Sequence, residues 1–132
     1  MWVRPFVDTN VLLYLLSDDA AKAERAEALL RGRAVISVQV LNEFANVARR
    51  KLRLGWPEVG QALVDIRRFC EVQPLTLETH ERGIALAARY QLSVYDAMIA
   101  AAALEAGCAT LASEDFSAGR RLDRVTIRDP FA

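Results

Sequence analysis

The chain has 132 residues, 53% hydrophobic and 26% charged, which is enough to bury a core and excludes a disordered segment. Seventeen Lys and Arg balance seventeen Asp and Glu, so a uniformly basic nucleic-acid coat is excluded while local basic patches stay open. Cys70 and Cys108 are far apart and form no C-x-x-C, which excludes a zinc knuckle and fits buried thiols in a reducing cytosol better than a disulfide framework.

The start, Met1 to Phe6, lacks the long apolar stretch of a secretory signal. Ala97 to Leu104, the longest apolar run, is far shorter than the roughly 20 residues a membrane helix needs. The expectation is one soluble, cytoplasmic domain over residues 1–132, with no membrane contact.

Short apolar runs alternate with longer helical patterns. Phe6-Val7 reads as a strand ending at Asp8, begun at or after Pro5 because Pro has no N–H for a ladder. Asn10 to Leu16 and Asp18 to Leu30 read as helices, the second rich in good helix formers. Ala34 to Ser37 is a strand. Val38 to Leu54 carries Leu41, Phe44, Ala45, Ala48 and Leu52 at helical spacing. Gly55 closes it, and Trp56-Pro57 opens a helix running to Phe69. Val72 to Leu75 is a strand, Glu78 to Tyr90 and Tyr95 to Ala106 are helices, and Gly107 ends the latter. Ala109 to Ala112 and Val125 to Ile127 are the last strands. This alternation implies a short central parallel sheet covered on both faces, a three-layer α/β/α sandwich.

Four acids sit beside the core-forming segments: Asp8, Glu43, Asp96 and Asp115. Each has an ordinary explanation. Asp8 and Asp115 follow strands and precede helix-like or loop segments, where an N-cap is common. Ser93-Val94-Tyr95-Asp96 matches a capping box ahead of a nearly all-apolar helix. Glu43 lies mid-helix with Asn46 and Arg50 on its face, as a solvated side chain would. Yet Asp8 and Asp115 stand beyond the carboxyl ends of strands, where ligand sites form in open α/β sheets. Converging there, the carboxylates would repel one another and call for a divalent cation. Mg2+ and Mn2+ suit sparse oxygen donors.

Those segments carry a resemblance. Phe6-Val7-Asp8-Thr9-Asn10, Asn42-Glu43-Phe44, Ser93 through Ala101, Leu111 through Phe116 and the closing Val125 to Phe131 resemble PIN-domain ribonucleases, above all the VapC toxins of toxin–antitoxin pairs. The likeness spans nearly the whole chain. It implies metal-dependent endonucleolytic cleavage of RNA, in which metal-activated water attacks a backbone phosphate in line. It puts Asp8 and Asp96 as direct ligands of Mg2+ or Mn2+. Glu43 and Asp115 would bind a second metal, hold water or orient the nucleophile, with Glu114 competing with Asp115 as the fourth acid. Thr9 and Asn10 would fix Asp8, and Ser113 would fix Asp115. A cognate VapB-like antitoxin and a homodimer are implied as well, and the apolar helices between Val38 and Phe69 are compatible with a partner surface.

RNA needs phosphate neutralisation. Arg49, Arg50 and Lys51 with Arg53, and Arg120 and Arg121 with Arg124, are placed to flank a cleft; Arg67-Arg68 reads as a solvated helix end. His80, the only histidine, lies away from every acid motif and does not support a His-based ribonuclease. Two other readings remain. One is a non-catalytic PIN-like module binding RNA or protein, which the complete acid set disfavours. The other is an aspartyl-phosphate phosphatase-like enzyme, which needs a Lys after a later strand and finds none. No P-loop motif occurs.

Overall fold

In a computed structural model, residues 4–116 and 118–132 are described. Met1–Val3, on which the signal reading partly rests, and Ser117 lie outside them. The first strand, β1 (Phe6–Val7), starts just past Pro5, whose carbonyl still accepts from Val35 N at 2.9 Å. It leads into α1 (Thr9–Leu13), a 3-10 turn (Tyr14–Leu16) and α2 (Ala20–Arg31). Next come β2 (Val35–Ser37), α3 (Val38–Arg50), α4 (Trp56–Phe69), β3 (Glu71–Gln73), α5 (Leu77–Tyr90) and α6 (Val94–Glu105). Strands β4 (Thr110–Ala112), β5 (Arg121–Leu122) and β6 (Val125–Arg128) finish the chain.

The sheet order is β3-β2-β1-β4-β6-β5. All neighbours are parallel except β5, which pairs antiparallel with β6. The chain steps outward from β1 to β3, then returns past β1 to β4. The strand order therefore reverses between β1 and β4, and a crevice opens beyond their carboxyl ends. With crossovers of the usual right hand, this order sets α1–α4 on one face and α5–α6 on the other. The three-layer α/β/α expectation holds.

The inner parallel strands are buried, which is why they read as apolar runs: Phe6, Val7, Ile36, Leu111, Ala112 and Ile127 are all fully buried, whereas the edge strand β3 is partly exposed. Helix α6 is buried from Ala97 through Leu104, since it lies between the sheet and α5. The two helices approach so closely that a Cβ at Gly83 would meet the Met98 methyl at 2.5 Å. Among the described residues no helix is long and apolar enough to cross a membrane. Cys70 and Cys108 are free thiols, and burial pushes Cys70 up to about 12, so it stays protonated and unreactive.

Three sequence expectations need correction. Helix α3 ends at Arg50, not Leu54, because Arg53 adopts a left-handed backbone (φ 56°) that a helix cannot accommodate. This leaves Lys51 at the helix cap rather than inside the helix. Strand β3 lies at Glu71–Gln73 rather than Val72–Leu75, fixed by its register Val35↔Glu71 to Ser37↔Gln73. Strand β5 was not expected: two residues, turned by Asp123 at φ 53°, are too short for any periodicity to register.

Candidate metal centre

Asp8 is the N-cap of α1, as its ordinary explanation requires, but it is only 4% exposed. Its Oδ1 accepts from Thr9 N at 2.7 Å, and its Oδ2 from Ser113 Oγ at 2.7 Å and Asn10 Nδ2 at 3.0 Å. Its backbone N–H donates to the Ala112 carbonyl at 3.0 Å, so the end of β1 is tied to the end of β4. Ser113 is fully buried, and its hydroxyl oxygen also accepts from Asp115 N at 3.1 Å. One side chain thus orients Asp8 and turns the chain that carries Asp115. Asn10 braces the same junction: it donates to Ser113 Oγ at 3.2 Å and accepts from Glu114 N at 3.1 Å.

Glu43 reaches this group from α3. Its Oε1 accepts from Thr9 Oγ1 at 2.9 Å and its Oε2 from Gln39 Nε2 at 3.0 Å. Thr9 therefore holds Glu43 through its hydroxyl and Asp8 through its backbone. Asp96 comes from the first turn of α6, where Ser93 Oγ accepts from Asp96 N at 3.2 Å. Capping and convergence coexist in this residue.

The carboxylates influence one another. Asp8 is raised to about 6: burial raises it most, bonds from Ser113 and Thr9 pull it back, and the charges of Asp96 and Glu43 add to the rise. Asp96 is also raised, first by burial and then by Glu43 and Asp115, against a lowering contact with Ser93. All four acids are thus within electrostatic reach at the switch point of the sheet.

Glu114 and Asp115 face different ways. Glu114 Oε2 meets Lys22 Nζ at 2.9 Å and its Oε1 accepts from Tyr14 OH at 2.8 Å, so both of its oxygens are engaged. Asp115 is exposed and lines the cleft together with Thr9, Asn10 and Glu43.

That cleft has a volume of about 610 Å3 and runs along the polar side of α3, past Asn42 and Asn46, to Lys51, with Tyr95 also in its wall. None of the arginines expected to flank it is among its lining residues, and Arg49, Arg120 and Arg121 are engaged elsewhere. Arg49 lies over the Trp56 ring at 4.4 Å and donates to the Leu54 carbonyl at 2.9 Å. Arg50 is exposed and absent from the lining. Arg120 donates to the Tyr90 carbonyl, and Arg121 Nε to the Asp123 carbonyl at 2.9 Å. Tyr95 and Gln39 are lining residues that sequence reasoning gave no role, whereas Lys51 belongs to the basic run expected to flank the cleft. The basic run around Lys51 was visible, but which member faces the cleft depends on where α3 ends.

A divalent cation fits this donor set under one condition. Among the described residues, no three Asp, Glu, His or Cys side chains are gathered so that they could hold one ion. Mg2+ and Mn2+ can be held by one or two carboxylates while keeping several waters. Asp8 and Asp96, both pushed up by burial and like charge, are the carboxylates such an ion would relieve most.

An α/β sandwich with acids converging at its switch point defines a class, and the chain belongs to the PIN domain family: the family model matches residues 6–125. Solved structures share the fold. The VapC20 toxin of Mycobacterium tuberculosis, described as cleaving the sarcin–ricin loop, superposes with a TM-score of 0.68 at 23% identity, over 85% of this chain and 90% of that one. A DNA-bound VapBC from Salmonella typhimurium gives 0.71 at 23% identity, over 97% and 98%. A toxin–antitoxin complex from Klebsiella pneumoniae gives 0.72 at 20%, over 92% and 95%. No curated protein sequence matches the chain.

Proposed function

We propose that the chain is a divalent-metal-dependent endoribonuclease and the toxin of a toxin–antitoxin pair, acting as one cytoplasmic domain. What supports this reading is that Asp8, Glu43, Asp96 and Asp115, from four separate segments, lie within electrostatic reach of one another, with Asp8 and Asp96 pushed toward protonation by burial and by like charge. A non-catalytic module has no use for so costly an arrangement. A phosphatase of the aspartyl-phosphate kind would need a lysine at a later strand end, and the chain's two lysines, Lys22 and Lys51, lie in α2 and at the end of α3.

Asp8 and Asp96 would hold Mg2+ or Mn2+, which when bound supplies a more acidic water and neutralises charge on the phosphate. The chain's residues do the rest. Ser113, Thr9 and Asn10 fix the Asp8 carboxylate so that little reorganisation is needed on binding. Glu43, held by Thr9 and Gln39, presents a fixed carboxylate that can accept a proton from water. Asp115, rather than the engaged Glu114, serves as the fourth acid.

Relatives with this fold occur as toxin–antitoxin complexes, which supports an antitoxin partner here. An apolar groove of about 380 Å3 between α2, α3 and α4, lined by Leu16, Leu30, Phe44, Ile66 and Phe69, is the surface an apolar antitoxin segment would cover. Exposed Leu52, Trp56 and Val64 support a homodimer through the α3–α4 region. The test is cleavage of RNA by wild type, Asp8→Asn and Asp96→Asn with Mg2+, with Mn2+ and with chelator. Cleavage that survives both substitutions and the chelator would falsify the reading.

A further inference from the structure

We infer that the cleft contains a nucleotide subsite beside the acids, in which the Tyr95 ring stacks an unpaired base of a single strand while Lys51 and Asn46 hold its flank. This rests on the ribonuclease reading for its substrate class and goes beyond it in naming what grips the strand.

Tyr95 directly precedes Asp96 in the first turn of α6, yet 66% of it is exposed, whereas Ala97 through Leu104 are buried. Among the described residues its hydroxyl has no hydrogen-bond partner, so the ring is held out by the helix without serving the core. A flat apolar face in the wall of a polar cleft gains most from another flat ring, and every base offers one once it is unstacked. Duplex bases hide that face, so the ligand is single-stranded or locally opened.

Electrostatics points the same way. A crevice lined by carboxylates repels a phosphodiester backbone, so the strand needs a cation of the protein's own. Among the described residues Lys51 is the one cationic side chain lining the cleft, and it forms no ion pair. Its neighbour Arg49 is committed to Trp56 and Leu54. Asn42 and Asn46 line the same wall at i, i+4 on α3, and among the described residues neither amide has a hydrogen-bond partner, whereas Gln39 is used by Glu43. An amide offers a donor and an acceptor to a base edge. The volume of about 610 Å3 lies in the range of small-molecule sites and suits a nucleotide or two.

The probe is a randomised pool of single-stranded oligoribonucleotides about ten nucleotides long, within the usual span of single-strand sites. Its binding is read by anisotropy in chelator and its cleavage in Mn2+. Tyr95→Phe should behave as wild type. Tyr95→Ala should weaken binding and raise KM about tenfold with kcat within about twofold, the loss of one stacked base. Lys51→Gln should flatten the dependence of log affinity on log salt by about one unit. Once the cut is mapped, a substrate lacking one base beside it should lose the same tenfold with wild type and nothing further with Tyr95→Ala.

Unchanged binding by Tyr95→Ala, or an equal loss by Tyr95→Phe, overturns the subsite. If wild type cleaves nothing but the Tyr95 binding losses appear, the catalytic reading falls and the subsite stands. If wild type neither binds nor cleaves the pool, both fall. Ala is a better helix former than Tyr, so thermal unfolding should show the variant folded.

Discussion

Two neighbouring residues of α3 serve opposite surfaces. Glu43 belongs to the acid cleft and Phe44, the next residue, lines the apolar groove against α2 and α4. The cleft sets its carboxylates against a single lysine, Lys51, and the groove lacks apolar cover. A single turn of helix therefore presents a surface that a cation and an RNA strand would satisfy and another that a protein segment would satisfy. The difference teaches that the proposed catalytic and antitoxin surfaces are separable by substitution, though they share one helix.

The sharpest break concerns chemistry. Asp8→Asn and Asp96→Asn should each lower RNA cleavage by at least about a hundredfold, the scale of losing one charge-stabilising group. Antitoxin affinity, measured by calorimetry, should stay near wild type if the surfaces are separate.

The second break concerns stability. Asp8 has its carboxyl raised from 3.8 to about 6 in the folded protein. The unfolded chain then releases this proton more readily than the folded one. Asp8 therefore costs nothing below about pH 3.8, progressively destabilises the fold as pH rises toward 6, and exerts its full effect above that. The scale is up to about 3 kcal/mol at pH 7. In chelator, Asp8→Asn should raise the unfolding free energy at pH 7 and lose that advantage near pH 4. Mg2+ should raise the wild-type melting temperature and leave the variant little changed. A variant less stable than wild type at pH 7 would argue that the hydrogen bonds to Asp8 outweigh its burial.

The third probes the groove. Phe69 is 53% exposed at its rim, so Phe69→Asp should fold normally. It should weaken antitoxin binding by at least about tenfold, as loss of an apolar anchor does, with RNA cleavage unchanged. A fall in cleavage would mean that the two surfaces are coupled through α3.

The smallest effect separates the adjacent acids. Glu114→Gln should cost about 1 kcal/mol or less, because its pair with Lys22 is partly exposed, and it should leave cleavage near wild type. Asp115→Asn should reduce cleavage without lowering stability. Reversed outcomes would make Glu114 the fourth acid.

Much of this was legible in the sequence because it depends on near neighbours. Strand β1, the buried α6 and the glycine after it follow from apolar runs and capping signals, and Gly107 takes the expected left-handed backbone, φ 74°. The ordered acid motifs carried the family likeness. Less legible were the short features: α3 stops at Arg50 because of backbone at Arg53, and β5 exists only because β6 offers an edge. Arg49 and Lys51 are equally basic in sequence. Only the helix end decides that Arg49 turns to Trp56 while Lys51 lines the cleft.

The sequence by itself determined that carboxylates would follow strands β1 and β4 and open helix α6, since side-chain identity and local periodicity are written in it. Whether they meet was decided by strand order. Asp8 and Ser113 lie 105 positions apart, yet β1 and β4 pair and bring their side chains to 2.7 Å. The same folding buried Asp8, turned Glu114 toward Lys22 and left Asp115 in the cleft. Burial and through-space charge are properties of the packed sheet, and no reading of neighbours along the chain contains them.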